Sequence, residues 1–171
     1  MSEKALGETV VFGEKLAASQ IFSALFREGM GLVEETAAYL DGAGRQDAKK
    51  LERSAALTYA TEIMRLTTRL MQLASWLLLH RAVNEGEMSL AQANKEKKKV
   101  KLAPGDPVDE RTMKMLPERL CDLIARSRQL QAKVLRVDST IHAPVPEQSV
   151  STSPINQHLG LLKAAFERTD A

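Results

Sequence analysis

Between Tyr59 and Leu78 two adjoining apolar stripes run along what reads as one helix, and a rod with so wide an apolar surface demands more than one neighbour. Tyr59, Ile63, Leu66, Leu70, Leu73 and Leu77 form the first stripe; Ala60, Met64, Thr67, Met71, Ala74 and Leu78 form the second. Arg65, Thr68, Arg69, Gln72 and Ser75 make a polar stripe, which gives way to Trp76 and Leu79, so that the C-terminal end is apolar nearly all round. A central rod flanked by others predicts an all-α protein, a three-helix bundle with a long central helix.

Composition agrees with a protein that folds around a core of its own. The chain has 171 residues, 44% of them hydrophobic, which suits one soluble domain. The longest apolar run, Trp76 to Leu79, falls far short of the roughly 20 residues that span a bilayer, so no membrane insertion is expected. Met1 to Gly13 carries Glu3, Lys4 and Glu8 without an apolar signal core, and a cytoplasmic protein is expected. Cys121 is the single cysteine, which rules out an intramolecular disulfide and fits a small half-buried side chain better than a nucleophile. The net charge is +2 and aromatics make up 4%, neither of which suits a dedicated nucleic-acid binder.

The periodicity places a first helix from about Gly13 or Ser19 to Leu40, with Phe22, Leu25, Phe26, Leu32, Val33, Thr36 and Leu40 on one side. Gly29 and Gly31 inside it mark a close helix contact or a weak point, and Asp41, Gly42 and Gly44 end it, glycine readily taking the left-handed conformation. A second helix is expected from about Gln46 to Val83 or Asn84, roughly 57 Å long. Asn84 to Asp109 reads as a long loop between helices 2 and 3, with room for a short helix over Ser89 to Lys99 before Pro104, Gly105 and Pro107. The third helix starts near Met113 or Pro117. Leu116, Leu120, Leu123, Ser127, Leu130, Val134, Val137 and Ile141 then recur in steps of four and three, with Ile124 broadening the seam. Residues 1–141 are therefore expected to form the bundle domain and 142–171 a flexible tail: HAPVPEQSVSTSP is poor in apolar surface. Within that tail Ile155, Leu159, Leu162 and Phe166 form a short amphipathic element, suited to docking on its own bundle or in another protein's groove.

Chemistry-bearing patterns are few. His80, His142 and His158 lie on separate segments with no carboxylate or cysteine at matching spacing, and solvated or helix-end positions are expected for them. No glycine-rich phosphate loop or serine elbow occurs, so no enzyme, cofactor or metal is expected. Lys95, Lys97, Lys98, Lys99 and Lys101 sit with Glu96 in seven residues, five lysines against one glutamate for a net +4. Such a run can touch an anionic partner and supports an alternative reading as a nucleic-acid-associated regulator, though a solvated face is the commoner outcome. Trp76 and Leu79 are either core residues covered by their own chain or anchors of a subunit interface.

The string ETAAYLDGAGR at Glu35 to Arg45, RLTTRLMQLASWLLLHRAVNEGEM at Arg65 to Met88 and the following LAQANKEKKKVKL resemble the alphaproteobacterial regulator of CtrA degradation (RcdA) family, DUF1465, over nearly the whole chain apart from the tail. The resemblance implies a helical bundle, usually a homodimer, acting as a non-enzymatic adaptor that binds cargo proteins and delivers them to the ClpXP protease in cell-cycle proteolysis. Its implied partners are ClpX primed by CpdR, and cargo such as TacA or PopA-linked CtrA. Its implied address is the cytoplasm and the cell pole. No family catalytic residue exists to carry over, and the delivery role attributed to flexible tails falls here on Ile155, Leu159, Leu162 and Phe166.

Overall fold

The computed structural model describes residues 2–102, 105 and 107–142, with side chains from residue 18 to residue 141. Among these residues the protein is all-helical: α1 (Ser2–Asp41), α2 (Ala43–Lys49), α3 (Arg53–Asn84), α4 (Leu90–Val100), α5 (Glu110–Lys114) and α6 (Glu118–His142). Contacts divide the chain into two compact units, Met1–Val137 and Asp138–Ala171; of the second, only the last turn of α6 is described.

The core lies where three long helices turn their seams inward. α1 contributes Leu25, Gly29, Leu32, Thr36 and Tyr39, a run in alternating steps of four and three. From α3 come Leu66, Leu70, Leu73 and Leu77, and from α6 Leu120, Leu123, Ile124, Leu130 and Val134. The α6 seam read from the sequence is therefore buried from Leu116 to Val134, while Ile141 at its end is exposed. Gly29 is the close contact between helices: a methyl group there would collide with Leu77 Cδ1 and lie 3.5 Å from Leu130 Cδ2. Gly31 faces open space. Arg126 Nη2 reaches Glu35 Oε2 at 2.7 Å and Lys133 Nζ reaches Glu28 Oε2 at 2.9 Å, tying the rims of α6 and α1.

Several boundaries differ from the sequence reading. α1 begins at Ser2 rather than near residue 13 or 19. The expected second helix is two helices, because the chain breaks at residues 50–52 with Leu51 packed on the core. α3 alone is 32 residues, roughly 48 Å. A corner of phenols secures α2: Tyr39 Oη donates to Asp47 Oδ2 at 3.1 Å and Tyr59 Oη donates to the Gly44 carbonyl at 3.0 Å. Gly44 serves this corner by its size, since a Cβ would sit 2.7 Å from the Tyr39 carbonyl oxygen and 2.9 Å from Tyr59 Oη. The left-handed glycine expected at the end of α1 is not there; Gly42 has φ −118°.

The segment between α3 and α5 holds one helix, α4, where the sequence left room for a short helix over Ser89 to Lys99. Gly86, at φ 75°, closes α3 with the Glu87 amide on the Ala82 carbonyl (2.9 Å) and its own amide on the Val83 carbonyl (3.1 Å), a Schellman turn. Ser89 and Gln92 then form a reciprocal capping box that starts α4, which packs against α3. α5 is a single short turn of helix, and α6 starts directly after Pro117 as the proline predicts.

Candidate protein-binding face

Of the two apolar stripes on α3, the described residues cover one. Tyr59, Leu66, Leu70, Leu73 and Leu77 are buried and Ile63 is half-buried; on the opposite side Leu57, Met64, Met71 and Leu78 are 72%, 67%, 71% and 53% exposed. These four lie seven residues apart, with Ala60, Thr67 and Ala74 three residues after the first three, so large and small side chains alternate along a straight seam. Thr67 Oγ1 donates to the Ile63 carbonyl at 2.8 Å, which satisfies the hydroxyl within the helix. Four large apolar side chains in an uncovered row exceed the scattered exposure ordinary on a monomer, and small residues between them allow a second helix to approach closely.

Beside this row α4 forms a shallow groove with α3, bordered by Met71, Leu78, Leu79, Ala82, Met88 and Val100, with Lys99 on its edge. The lysine segment thus belongs to a helix rather than a loop. Lys95, Lys98 and Lys99 are exposed, Lys97 is half-buried, and Lys101 caps the helix in a left-handed conformation at φ 49°. Their place in the last turn complements the helix dipole, and Lys99 Nζ pairs with Glu96 at 2.9 Å, so part of this charge serves α4 itself.

Trp76 and Leu79, offered as interface anchors, separate here. Trp76 has no exposed surface: its ring lies 6.3 Å from that of Phe22 and 4.1 Å from that of His80, and α1 covers what the sequence shows as the end of a polar stripe. Leu79 is half-buried on the α4 side. His80 is buried at 6% exposure and not solvated, because it stacks on Trp76. Arg69, expected on the polar stripe, is also buried, with Nη1 donating to Ser127 Oγ at 2.8 Å. Cys121 is half-buried with Sγ 3.3 Å from the Met113 carbonyl, and burial raises its thiol above the usual range. The tail residues Ile155, Leu159, Leu162 and Phe166, with His158, lie outside the described residues.

Sequence reasoning missed Leu57 as the first member of the exposed row; its seven-residue interval from Met64, Met71 and Leu78 was the available signal. It also missed a polar group between α3 and α6, Glu62, Arg69, Ser127, Arg128 and Gln131, for which residue spacing within one helix gives no cue. Among the described residues no group of three or more histidine, cysteine or carboxylate side chains could hold a metal ion, and no helix is long and apolar enough to cross a membrane.

Residues 13–166 match the family model described as protein of unknown function (DUF1465). A solved structure titled as the crystal structure of RcdA from Caulobacter crescentus CB15 is 52% identical, over 72% of this chain and 92% of that one, with a TM-score of 0.59. No curated protein matches.

Proposed function

We infer the function from one premise: this chain belongs to the DUF1465 family, that of RcdA. We propose a non-enzymatic adaptor of regulated proteolysis, which binds cargo proteins and brings them to ClpXP, with ClpX primed by CpdR and cargo such as TacA or PopA-linked CtrA. The observation that carries this reading is the uncovered Leu57, Met64, Met71, Leu78 row, an apolar contact surface on a rigid helix. Tethering raises the concentration of cargo at the unfoldase and needs no bond chemistry.

In this reading residues 1–141 are the helical body, a three-helix bundle around α1, α3 and α6, and 142–171 are a mobile tail whose Ile155, Leu159, Leu162 and Phe166 contact partners. The body pairs as a homodimer through the α3 row, and the protein works in the cytoplasm, at the cell pole. Support for the pairing comes from the seven-residue register, which suits one helix lying along its own copy. The nucleic-acid reading draws less support, since the lysines cap α4 and Lys99 is engaged by Glu96.

Reconstituted degradation tests the proposal: ClpX, ClpP, CpdR and a fluorescent cargo, with the full chain or with a chain ending at Ser151. Cargo loss that requires the full chain, and slows with the truncated one at unchanged helicity and melting, is the expected result. Equal delivery by both removes the tail's role. No acceleration of any cargo removes the adaptor reading.

A further inference from the structure

Along α1 a groove of about 730 Å³ runs against the end of α3. Its floor on the α1 side is Phe22, Phe26 and Met30, all half-buried and packed on the core, and Arg81, Asn84 and Glu85 close the other side. The charges on that other side are matched within the chain: the Arg81 guanidinium lies 5.0 Å from the Phe26 ring centre, and Arg81 Nε pairs with Glu85 Oε1 at 2.8 Å.

The α1 side holds three positions that the fold itself does not use. Glu28 and Glu35 are taken by Lys133 and Arg126 of α6, but Arg27 and Glu34, both exposed in the groove, have no ion pair among the described residues. Gly31 lies between them, and a Cβ there would meet nothing within 4 Å. Leu77 accounts for the glycine at 29, whereas no described neighbour requires one at 31, where alanine would favour the helix. A positive group, a gap and a negative group thus follow one another along about 10 Å of helix, beside an apolar floor.

We propose that this groove is a docking site for an amphipathic helix of another protein, running antiparallel to α1 and carrying a basic residue, a large apolar residue three positions later and an acidic residue four positions after that. In this register the acidic group meets Arg27, the basic group meets Glu34, and the large side chain enters the space over Gly31. Charge complementarity sets the direction, since the same helix laid parallel would put like charges together. Antiparallel packing also opposes the two helix dipoles. The occupant is a helix because both walls are helical ridges, with no strand edge among the described residues to pair with an extended peptide. Phe22, Phe26 and Met30 supply the apolar contact, and the flexible thioether adapts to the side chain above it. No residue of the α3 row takes part, and the proposal does not depend on the adaptor reading.

Fluorescence anisotropy with the full chain tests it, using a labelled synthetic helix of about 15 residues with Lys, Phe and Asp at this spacing, and a second peptide with the Lys and Asp exchanged. Saturable binding of the first, about tenfold tighter than of the second, is expected. R27E/E34K, at two exposed positions that the fold does not use, should reverse the preference. G31L should weaken both peptides about tenfold or more, with a melting temperature no lower than the parent's. No saturable binding, equal binding of the two peptides, or a preference that R27E/E34K fails to reverse overturns the proposal. Two other results overturn it by assigning the groove elsewhere. Dissociation of a dimer by G31L in sedimentation would put a second copy there, and peptide binding about tenfold tighter to full-length L162A/F166A would put the chain's own C-terminal residues there.

Discussion

Gly29 on α1 and Leu77 on α3 are in such close contact that a Cβ on the glycine would overlap the Leu77 Cδ1 methyl. Residue size at one position thereby sets the separation of two helices. G29A should destabilise the protein by about 1–3 kcal/mol through overpacking, outweighing alanine's helix preference of about 1 kcal/mol. G31A, two residues on and facing open space, should stabilise by up to about 1 kcal/mol. Urea unfolding midpoints of the two variants should move in opposite directions, and a shared direction would falsify the close-contact account.

Ser127 is fully buried, donates to the Ile124 carbonyl at 2.7 Å and accepts from Arg69 at 2.8 Å. S127A removes the neutral partner of a buried guanidinium and should cost about 1–3 kcal/mol. The S127A/R69M double variant should recover part of that loss, because no unpaired polar group then remains; chemical denaturation of all three variants measures the coupling.

The hydrogen bond from Arg126 holds the Glu35 carboxyl below the usual carboxylate range. In the unfolded chain the ordinary value returns. The pair's stabilisation is therefore complete above the unfolded value and fades as pH falls through the lower folded one. With both side chains more than a third exposed, its size is a few tenths to about 1 kcal/mol. E35Q should lower stability by that amount at neutral pH and leave it unchanged in strong acid, as read from thermal melts across pH.

Cys121 should react with iodoacetamide at least about tenfold more slowly in the folded chain than in urea, because burial raises its thiol and packing limits access. Equal rates would mean that the thiol is freely open at the surface.

The parts of this fold legible in the sequence are those in which a helix has one apolar seam. From Leu116, just ahead of α6, to Val134 within it the steps of four and three run without interruption, and even the serine in that series is buried. On α3, periodicity discloses two stripes without saying which the chain itself covers, since that depends on where α1 and α6 lie. For the same reason Arg69 and Trp76 read as members of a polar face: their burial is decided by Ser127 and Phe22, on other helices. The break at residues 50–52 carries no glycine or proline and is enforced by tertiary packing of Leu51 and the tyrosine corner. In α4 the lysine run resembles a solvated loop until its place at a helix C-terminus is known. The polar group between α3 and α6 lies beyond single-helix patterns altogether, because its residues come from two helices.

The left-handed turn at Gly86 also governs how the molecule meets others. By sending α4 back against α3, it puts Lys99 on the border of the groove that contains Met71 and Leu78. A body docking on that apolar row therefore meets the Lys99–Glu96 ion pair at the groove's edge, two opposite charges side by side that can each find a partner on a mixed-charge rim.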